Sequence, residues 1–389
     1  MAQMIPLEDY VSQVLEPLSP LKDDRLELGR AHRRVLAEDV TAAVPVPPWT
    51  NSAMDGYAVR AKDTTGACPQ TPVVLPVSGD VPAGAAPRPL AEGTAQRIMT
   101  GAMLPEGADA VVKVEDTDQD PGPQPVPERV EIHAAVSPGL SVRRAGEDVT
   151  AGDPVMASGT RLSAAAISAL ASVGLGSVLV RPQVRVAVVS TGAELRDAGQ
   201  ALEPGTIPDS NSLLLAGLVA EQGAACTSVA RSGDTAEALA EVLRQAAAGA
   251  DLIVTSGGVS AGAFDPLTML AKAQRSEQAP VHLDFVKVAM QPGKPQGHGW
   301  VLADDGRRVP IICLPGNPVS VYVSFHVYVA GMIRMLAGRS STVEPTVGQA
   351  VAGAEWASPR GKVQFIPLRL DGGRAFPIHE LGSRSHLVA

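Results

Sequence analysis

The sequence predicts a multidomain protein of the α/β and β classes: a central parallel α/β domain, an inserted small β-domain and a C-terminal β-domain. Three observations carry that prediction. Residues 182–338 alternate short, fully apolar runs with helical patterns, the order of a parallel sheet covered by helices on both faces. Residues 49–137 lose all helical period and set short β-runs between Pro, Gly and Asp clusters. The composition agrees: 38 glycines and 33 prolines with only 3% aromatics mean many turns and cores built from Ala, Val, Leu and Ile. A helical bundle, a coiled coil and a disulfide scaffold are excluded. At about 150 residues per domain, 389 residues make two to four folded units.

Taken in order, Leu7, Val11, Val14, Leu15 and Leu18 share one helical face, and Pro17 and Pro20 end that helix. A short helical piece near Ala31 leads to Val35-Leu36 and an extended segment through Pro48. The best strands of the inserted domain are 73–75, 110–112 and 130–132; its loop 116–127, with four prolines, reads as mobile. Ser163 is suited to cap a helix carrying Ile167 and Leu170 that stops at Gly174. The segment 138–181 is expected to return onto residues 1–48 as one N-terminal helical or linker domain. In the domain 182–338, strands are expected at 184–189, 252–254 and 311–314. A helix runs from Ser210 to Gln222 before Gly223, and Asp234 with Glu237 has the spacing of a capping box for a helix ending at Gly249. After Gly338 the pattern reverts to short β-runs, 363–366 being the best, in a C-terminal domain of residues 339–389.

The net charge of −9 argues against general nucleic-acid binding and against adhesion to anionic membranes, while leaving room for a local anion pocket. Cys68, Cys226 and Cys313 lie far apart, so neither a disulfide framework nor a zinc site is indicated. Acids occupy the N-terminus where a signal peptide carries lysines, and the apolar stretch Val319 to Leu336 contains Ser320, Ser324, His326 and Arg334, marking a core helix. The expectation is a reduced, cytoplasmic protein.

The three strongest strands each end in a turn rich in Gly, Ser or Thr that feeds a helix: Thr191-Gly192, Ser256-Gly257-Gly258 and Pro315-Gly316-Asn317. Backbone N–H groups at such turns bind phosphate and other oxyanions. Neither a Walker motif nor a G-x-G-x-x-G motif is present. Glu194, Asp209, Asp234 and Asp265 sit beside these turns, as do Ser210 and Asn211. Carboxylates at a phosphate edge require a cation, and an oxygen-only donor set suits Mg²⁺. Capping explains Asp234 equally well, and Asp265 before Pro266 is also suited to cap a helix. Lys287, Lys294 and Pro295 frame a rigid Pro-Gly loop that can face an anion. Asp55-Gly56 and Thr100-Gly101 read as turns, and Arg143-Arg144 with Glu147-Asp148 as a surface salt-bridge patch.

In this order the clusters resemble the MoeA family of molybdopterin molybdenumtransferases. The matching stretches are PPWTNSAMDGYAVR (47–60), RIMTGAMLPEGADAVVKVEDT (97–117), VRRAGEDV (142–149), STGAEL (190–195), IPDSN (207–211), SGGVSAGAFD (256–265), PGKP (292–295) and LPGNPVS (314–320). The resemblance implies a MogA/MoeA-like α/β domain and a homodimer, with each active site between the α/β domain of one subunit and the β-domain of the other. It implies that adenylated molybdopterin and molybdate are the substrates, that the pyrophosphate bond is hydrolysed with a divalent cation, and that AMP is released. A molybdopterin adenylyltransferase is then a candidate partner. Carried onto this chain, Asp55, Thr100 and Asp148 become β-side and hinge contributors. Glu194, Asp234 and Asp265 act on metal and substrate, as Ser260 in its motif and Arg143 and Arg144 in theirs contact substrate. Lys287, Lys294, Ser320, Arg360 and Ser385 hold the pterin phosphate or molybdate. Many relatives have K-P-G-K where this chain has Gln291-Pro292-Gly293-Lys294, which removes one cation, and the chain stops at Ala389 where members usually continue, so a shortened C-terminal domain is expected. Two other functions stay open: molybdopterin adenylation on the α/β domain alone, and a non-enzymatic, gephyrin-like scaffold.

Overall fold

The computed structural model describes residues 4–233, 235–259, 265–273, 279–339 and 348–378. Helix α1 (Leu7–Leu15) starts after Pro6 with Glu8 and Asp9 in its first turn, where the helix dipole favours acids. Its buried face, Tyr10, Val14 and Leu15, joins the core of the α/β domain beside Tyr328 and Ile333. Within the expected N-terminal domain of residues 1–48 and 138–181, this helix thus packs on the α/β domain. Close packing explains why: Leu15 lies over Gly331, where a Cβ would sit 3.3 Å from Leu15 Cδ2.

Strands β1 (Asp24–Glu27) and β2 (Val35–Leu36) precede the inserted sheet. That sheet comprises β3 (Gly56–Val59), β4 (Val73–Val81), β5 (Ala95–Ile98), β6 (Ala110–Lys113) and β7 (Arg129–Ile132), in the order β6-β3-β5-β4-β7. Strand alternation sends Tyr57, Val59 and Val112 to one small core and Ala58 and Val111 to another. The loop expected to be mobile is tied to the sheet through Gln124. Arg97 donates to both Asp80 oxygens (2.9 and 2.8 Å) and to the Gln124 carbonyl (2.7 Å).

Helix α2 (Ala164–Ser172) begins as its sequence predicts, with Ser163 Oγ accepting from Ala166 N at 3.1 Å, and Gly174 ends it at φ +87°. Strand β8 (Ser177–Arg181) then lies between β1 and β2, antiparallel to both, so segments on either side of the insertion share a sheet.

The α/β domain contains β9 (Arg185–Thr191), α3 (Ser210–Glu221), β10 (Ala225–Ser232), α4 (Ala236–Gly249), β11 (Leu252–Ser256), α5 (Pro266–Ala273), β12 (Val281–Lys287), β13 (Pro295–Leu302), β14 (Arg308–Leu314) and α6 (Pro318–Ser324). Its sheet runs β10-β9-β11-β14-β13-β12. The first four strands are parallel, but β13 is antiparallel to both β14 and β12, so the sheet is mixed and not purely parallel. The connections dictate this. Residues 288–294 and 303–307 are too short for crossovers, which need about a dozen residues or more. Val186 and Val188 pack into one core, Ala187 and Val189 into the other, so both faces are covered. The helix from Pro318 continues through a π turn, Phe325–Val329, into α7 (Ala330–Leu336). It is long and apolar enough to cross a membrane, yet 61% of its most apolar window is buried here, as a core helix requires. The N-cap of α4 is Thr235, whose Oγ1 accepts from Ala238 N (3.1 Å), one residue later than the expected capping box.

The C-terminal region forms a small sheet of β15 (Val351–Ala352), β16 (Leu368–Asp371) and β17 (Arg374–Pro377). Its best-looking run behaves differently from expectation: Val363–Gln364 pairs in parallel with Met290–Gln291 of the α/β domain.

Candidate active site

The carboxyl ends of β9, β11 and β14 lie side by side, and their turns lock together. Gly257 N donates to Leu314 O (3.1 Å), and Thr191 Oγ1 to Ser256 O (3.4 Å). Gly257 and Gly258 have φ of +87° and +73°, and a Cβ on either would stand within 2.9 Å of a Thr191 oxygen. Only glycine allows these turns to nest, leaving a backbone-lined edge. Asn211 ties α3 to the third turn by donating to Gly316 O at 2.6 Å, while its Oδ1 is buried with no partner. Asn317 occupies the N-cap of α6 ahead of Pro318, and Pro315 precedes Gly316 in the same turn.

The acids divide by environment. Glu194 is exposed and folds back over Gly192, where a Cβ would meet its Oε2 at 2.6 Å. Asp265 is buried and does cap α5, accepting from Thr268 N at 3.4 Å, while its Oδ1 stands 3.1 Å from the position a Gly258 Cβ would take. Asp209 is engaged within the protein. It caps α3 through Ser212 N (3.1 Å) and accepts from Ser190 Oγ (2.8 Å) and Ser212 Oγ (2.7 Å), with Arg231 3.8 Å away. These partners hold the carboxylate, expected to contact substrate, against the start of α3. Ser210, the next residue, is exposed.

Lys287 and Pro295 face each other across the β12/β13 register, and Val288 N donates to Lys294 O (2.8 Å). Both lysines are exposed. Gln296, fully buried, donates to Gly293 O and Ser324 Oγ, both at 2.8 Å, fastening this loop to the helix that carries the buried Ser320. Gln291 lies in register with Gln364, and Phe365 N donates to its carbonyl (2.8 Å). Arg360 is exposed in the same C-terminal segment.

The inserted sheet makes a second cluster. Asp55 Oδ1 accepts from Thr100 N (2.6 Å) and Thr100 Oγ1 (2.8 Å), which hold its carboxyl below the ordinary value, the backbone bond contributing most. Asp55 lines a cleft of about 720 Å³ with Tyr57, Arg97 and the 119–125 loop. Val142–Arg143 pairs with Asn51–Ser52, and Asp148 N donates to Val46 O (3.0 Å), so the RRAGED loop lies alongside. The expected salt-bridge patch is absent among the described residues: Glu147 accepts from the Arg144 backbone N–H (2.9 Å) instead. No hydrogen bond or ion pair among the described residues joins this cluster to the α/β edge within the chain. Asp234, Ser260 and Ser385 lie outside the described residues. Sequence reasoning missed Ser190, Ser212, Gln296 and Arg97. The Asp209-x-x-Ser212 spacing is a readable cap signal, whereas the Ser190–Asp209, Gln296–Ser324 and Arg97–Gln124 bonds join residues distant in sequence.

Comparison with known proteins decides the family. Residues 5–174 match the family described as "MoeA N-terminal region (domain I and II)", and residues 187–335 match "Probable molybdopterin binding domain". Molybdopterin molybdenumtransferase 2 of Mycobacterium tuberculosis is 43% identical over 369 residues, 95% of this chain and 88% of the relative. This chain belongs to the molybdopterin molybdenumtransferase family. The Nostoc molybdopterin molybdenumtransferase is 39% identical over 322 residues, covering 82% of this chain and 71% of its own length. Among solved structures, a molybdopterin biosynthesis MoeA protein from Pyrococcus horikosii is 30% identical with a TM-score of 0.75, over 97% of this chain and 90% of that one. The molybdopterin molybdenumtransferase fold thus spans the inserted sheet, the mixed α/β sheet and the C-terminal strands together.

Proposed function

We propose that this chain inserts molybdate into adenylated molybdopterin, with hydrolysis of the pyrophosphate bond and release of AMP. The observation that carries the reading is the single sheet edge where three glycine-rich turns meet Glu194 and Asp265, in a chain 43% identical to a curated molybdopterin molybdenumtransferase. Backbone N–H groups at 191–192, 256–258 and 315–317 receive phosphate oxygens, as such turns do. Lys287 and Lys294 face molybdate, a tetrahedral dianion suited to charged donors. Arg143 and Arg144 add cations from the hinge side. Water attacks phosphorus, the bridging P–O bond breaks, and a carboxylate orients the attacking oxygen.

The donor set suits a hard divalent cation. Glu194 and Asp265 offer oxygen only, and no group of three His, Cys, Asp or Glu among the described residues forms a closed cage. Mg²⁺ typically takes one or two carboxylates and keeps positions for phosphate and water. Glu194 and Asp265 would hold it, and when bound it would offset charge on the pyrophosphate. The same reading makes the protein a cytoplasmic homodimer whose active site joins one subunit's Asp55 cluster to the other's α/β edge, with a molybdopterin adenylyltransferase supplying substrate.

One assay tests this. Purified protein with adenylated molybdopterin, molybdate and Mg²⁺ is expected to release AMP, to stop on chelation and to resume when Mg²⁺ is restored. Silence at every molybdate concentration, with ATP turnover on free molybdopterin instead, would transfer the assignment to adenylation.

A further inference from the structure

Away from the active-site edge, arginines converge where the N-terminal unit meets the α/β domain. Arg33, Arg34, Arg161 and Arg181 line a cleft of about 30 Å³ closed on its other side by Gly223 and Ala337. Three chain segments bring them there. Val35 bridges Arg161, Arg33 N donates to Leu162 O, and Leu162 N to Arg34 O (both 2.8 Å), while Arg181 ends β8. Gly223, at φ +83°, has no side chain to fill the space; a Cβ there would lie 2.9 Å from the Arg161 guanidinium.

The charges are poorly compensated. Among the described residues, Arg181 has an acidic partner, Asp23 at 3.2 Å, but Arg33, Arg34 and Arg161 have none within 4.0 Å. Arg339 stands close enough to feel Arg161, and Arg334 to feel Arg339, so the positive field continues along the end of α7. Burial, then the neighbouring cation, pulls both guanidiniums below their ordinary value. Arg334 also buries Nε and one terminal nitrogen without a hydrogen-bond partner. Arg334 does not line the cleft itself, so its place is in the surrounding positive field. Arg33 itself sits at φ +66°, a left-handed conformation that a non-glycine residue adopts only at a cost. A chain with net charge −9 has no general need for such a concentration of cations.

We propose that this seam binds one tetrahedral dianion, phosphate or molybdate, in the cleft between Arg34, Arg161 and Arg181. Guanidiniums approaching from three segments match a ligand with four oxygens better than a planar carboxylate, which presents two. At about 30 Å³ the cleft holds about two waters at the roughly 10–15 Å³ each requires, so a tetrahedral anion would seat one face in it with its other oxygens toward solvent, and a whole nucleotide or pterin is excluded. The site is independent of the catalytic reading, and its bound anion would clamp the two units together.

Isothermal titration at low ionic strength with inorganic phosphate and with molybdate tests it, the tighter of the two naming the source. With Lys287→Ala, Lys294→Ala in place to silence the proposed active-site donors, one site is expected to saturate in the millimolar range or below, and to weaken at least tenfold when Arg34→Ala and Arg161→Ala are added. The unmutated protein gives a second measurement that does not depend on a variant folding. Saturating phosphate or molybdate should protect Arg34 and Arg161 from phenylglyoxal, read by mass spectrometry. Unprotected arginines, or binding lost with the lysines and kept without the arginines, would overturn the proposal.

Discussion

Asp55 and Thr100 are 45 positions apart in the chain and form one device. Two donors from a single residue meet one carboxylate oxygen, so the ionised form is favoured and the carboxyl titrates below its ordinary value. Activity that needs this carboxylate persists above that depressed value and is lost as pH falls through it. Replacing Thr100 with Val keeps the side-chain shape and the backbone donor but removes Oγ1. Asp55 then titrates higher, and the acid limb of AMP release should move to higher pH, with about a tenfold loss at neutral pH from looser orientation. A pH profile of kcat/KM checks both; an unmoved limb would show that Asp55 does not act as a carboxylate. From residue type and spacing alone these residues read as turn formers, and only the family resemblance singled them out, because a pairing between two turns distant in sequence leaves no local spacing signal. Cys313 was legible on its own: it lies in an apolar run, and burial pushes its thiol up to about 12, leaving it inert.

At the scale of elements, the nested turns make a sharper prediction than any single acid. Gly258→Ala places a Cβ 2.9 Å from Thr191 Oγ1 and 3.0 Å from Leu267 Cδ1 at φ +73°, so it should destabilise the α/β domain by about 1–3 kcal/mol. Gly217→Ala, in the middle of α3 with nothing within 4 Å of the new Cβ, should instead stabilise by roughly 0.5–1 kcal/mol. Urea unfolding of the two variants side by side separates close approach from mere glycine content; equal effects would refute the nested-turn account. Asp209→Ala removes a helix cap and strands the hydroxyls of Ser190 and Ser212, so it should cost about 1–3 kcal/mol by the same measurement. These turns were readable because tight strand-to-helix turns favour Gly, Ser and Thr, residue types visible without coordinates. The antiparallel edge was not read. Val281-His282-Leu283-Asp284 alternates as a half-exposed strand does, but the fully apolar parallel strands dominate the pattern. The cap of α4 fell one residue away from expectation because Asp234 and Thr235 are both good caps, and Glu237 three residues on favours the first.

On the scale of the whole molecule, the two clusters that the proposed reaction would use together are not joined by any hydrogen bond or ion pair among the described residues of one chain. A dimer that sets the Asp55 cluster of one subunit against the Glu194 edge of its partner resolves this, and it has a consequence that stoichiometry makes exact enough to test. Asp55→Ala and Glu194→Ala homodimers should each be inactive, since every site lacks one carboxylate. Mixed under conditions that exchange subunits, half of the dimers become hybrids, and in each hybrid one site has both substitutions while the other has neither. AMP release should therefore recover to about a quarter of the unmutated level at equal mixing. It should follow the slow course of subunit exchange and fail when the subunits are cross-linked beforehand. If each chain instead closes its own site, mixing restores nothing, because every α/β edge or every Asp55 cluster keeps its own defect wherever its chain goes. The distinction does not depend on the absolute rate of either variant, provided both are nearly silent alone.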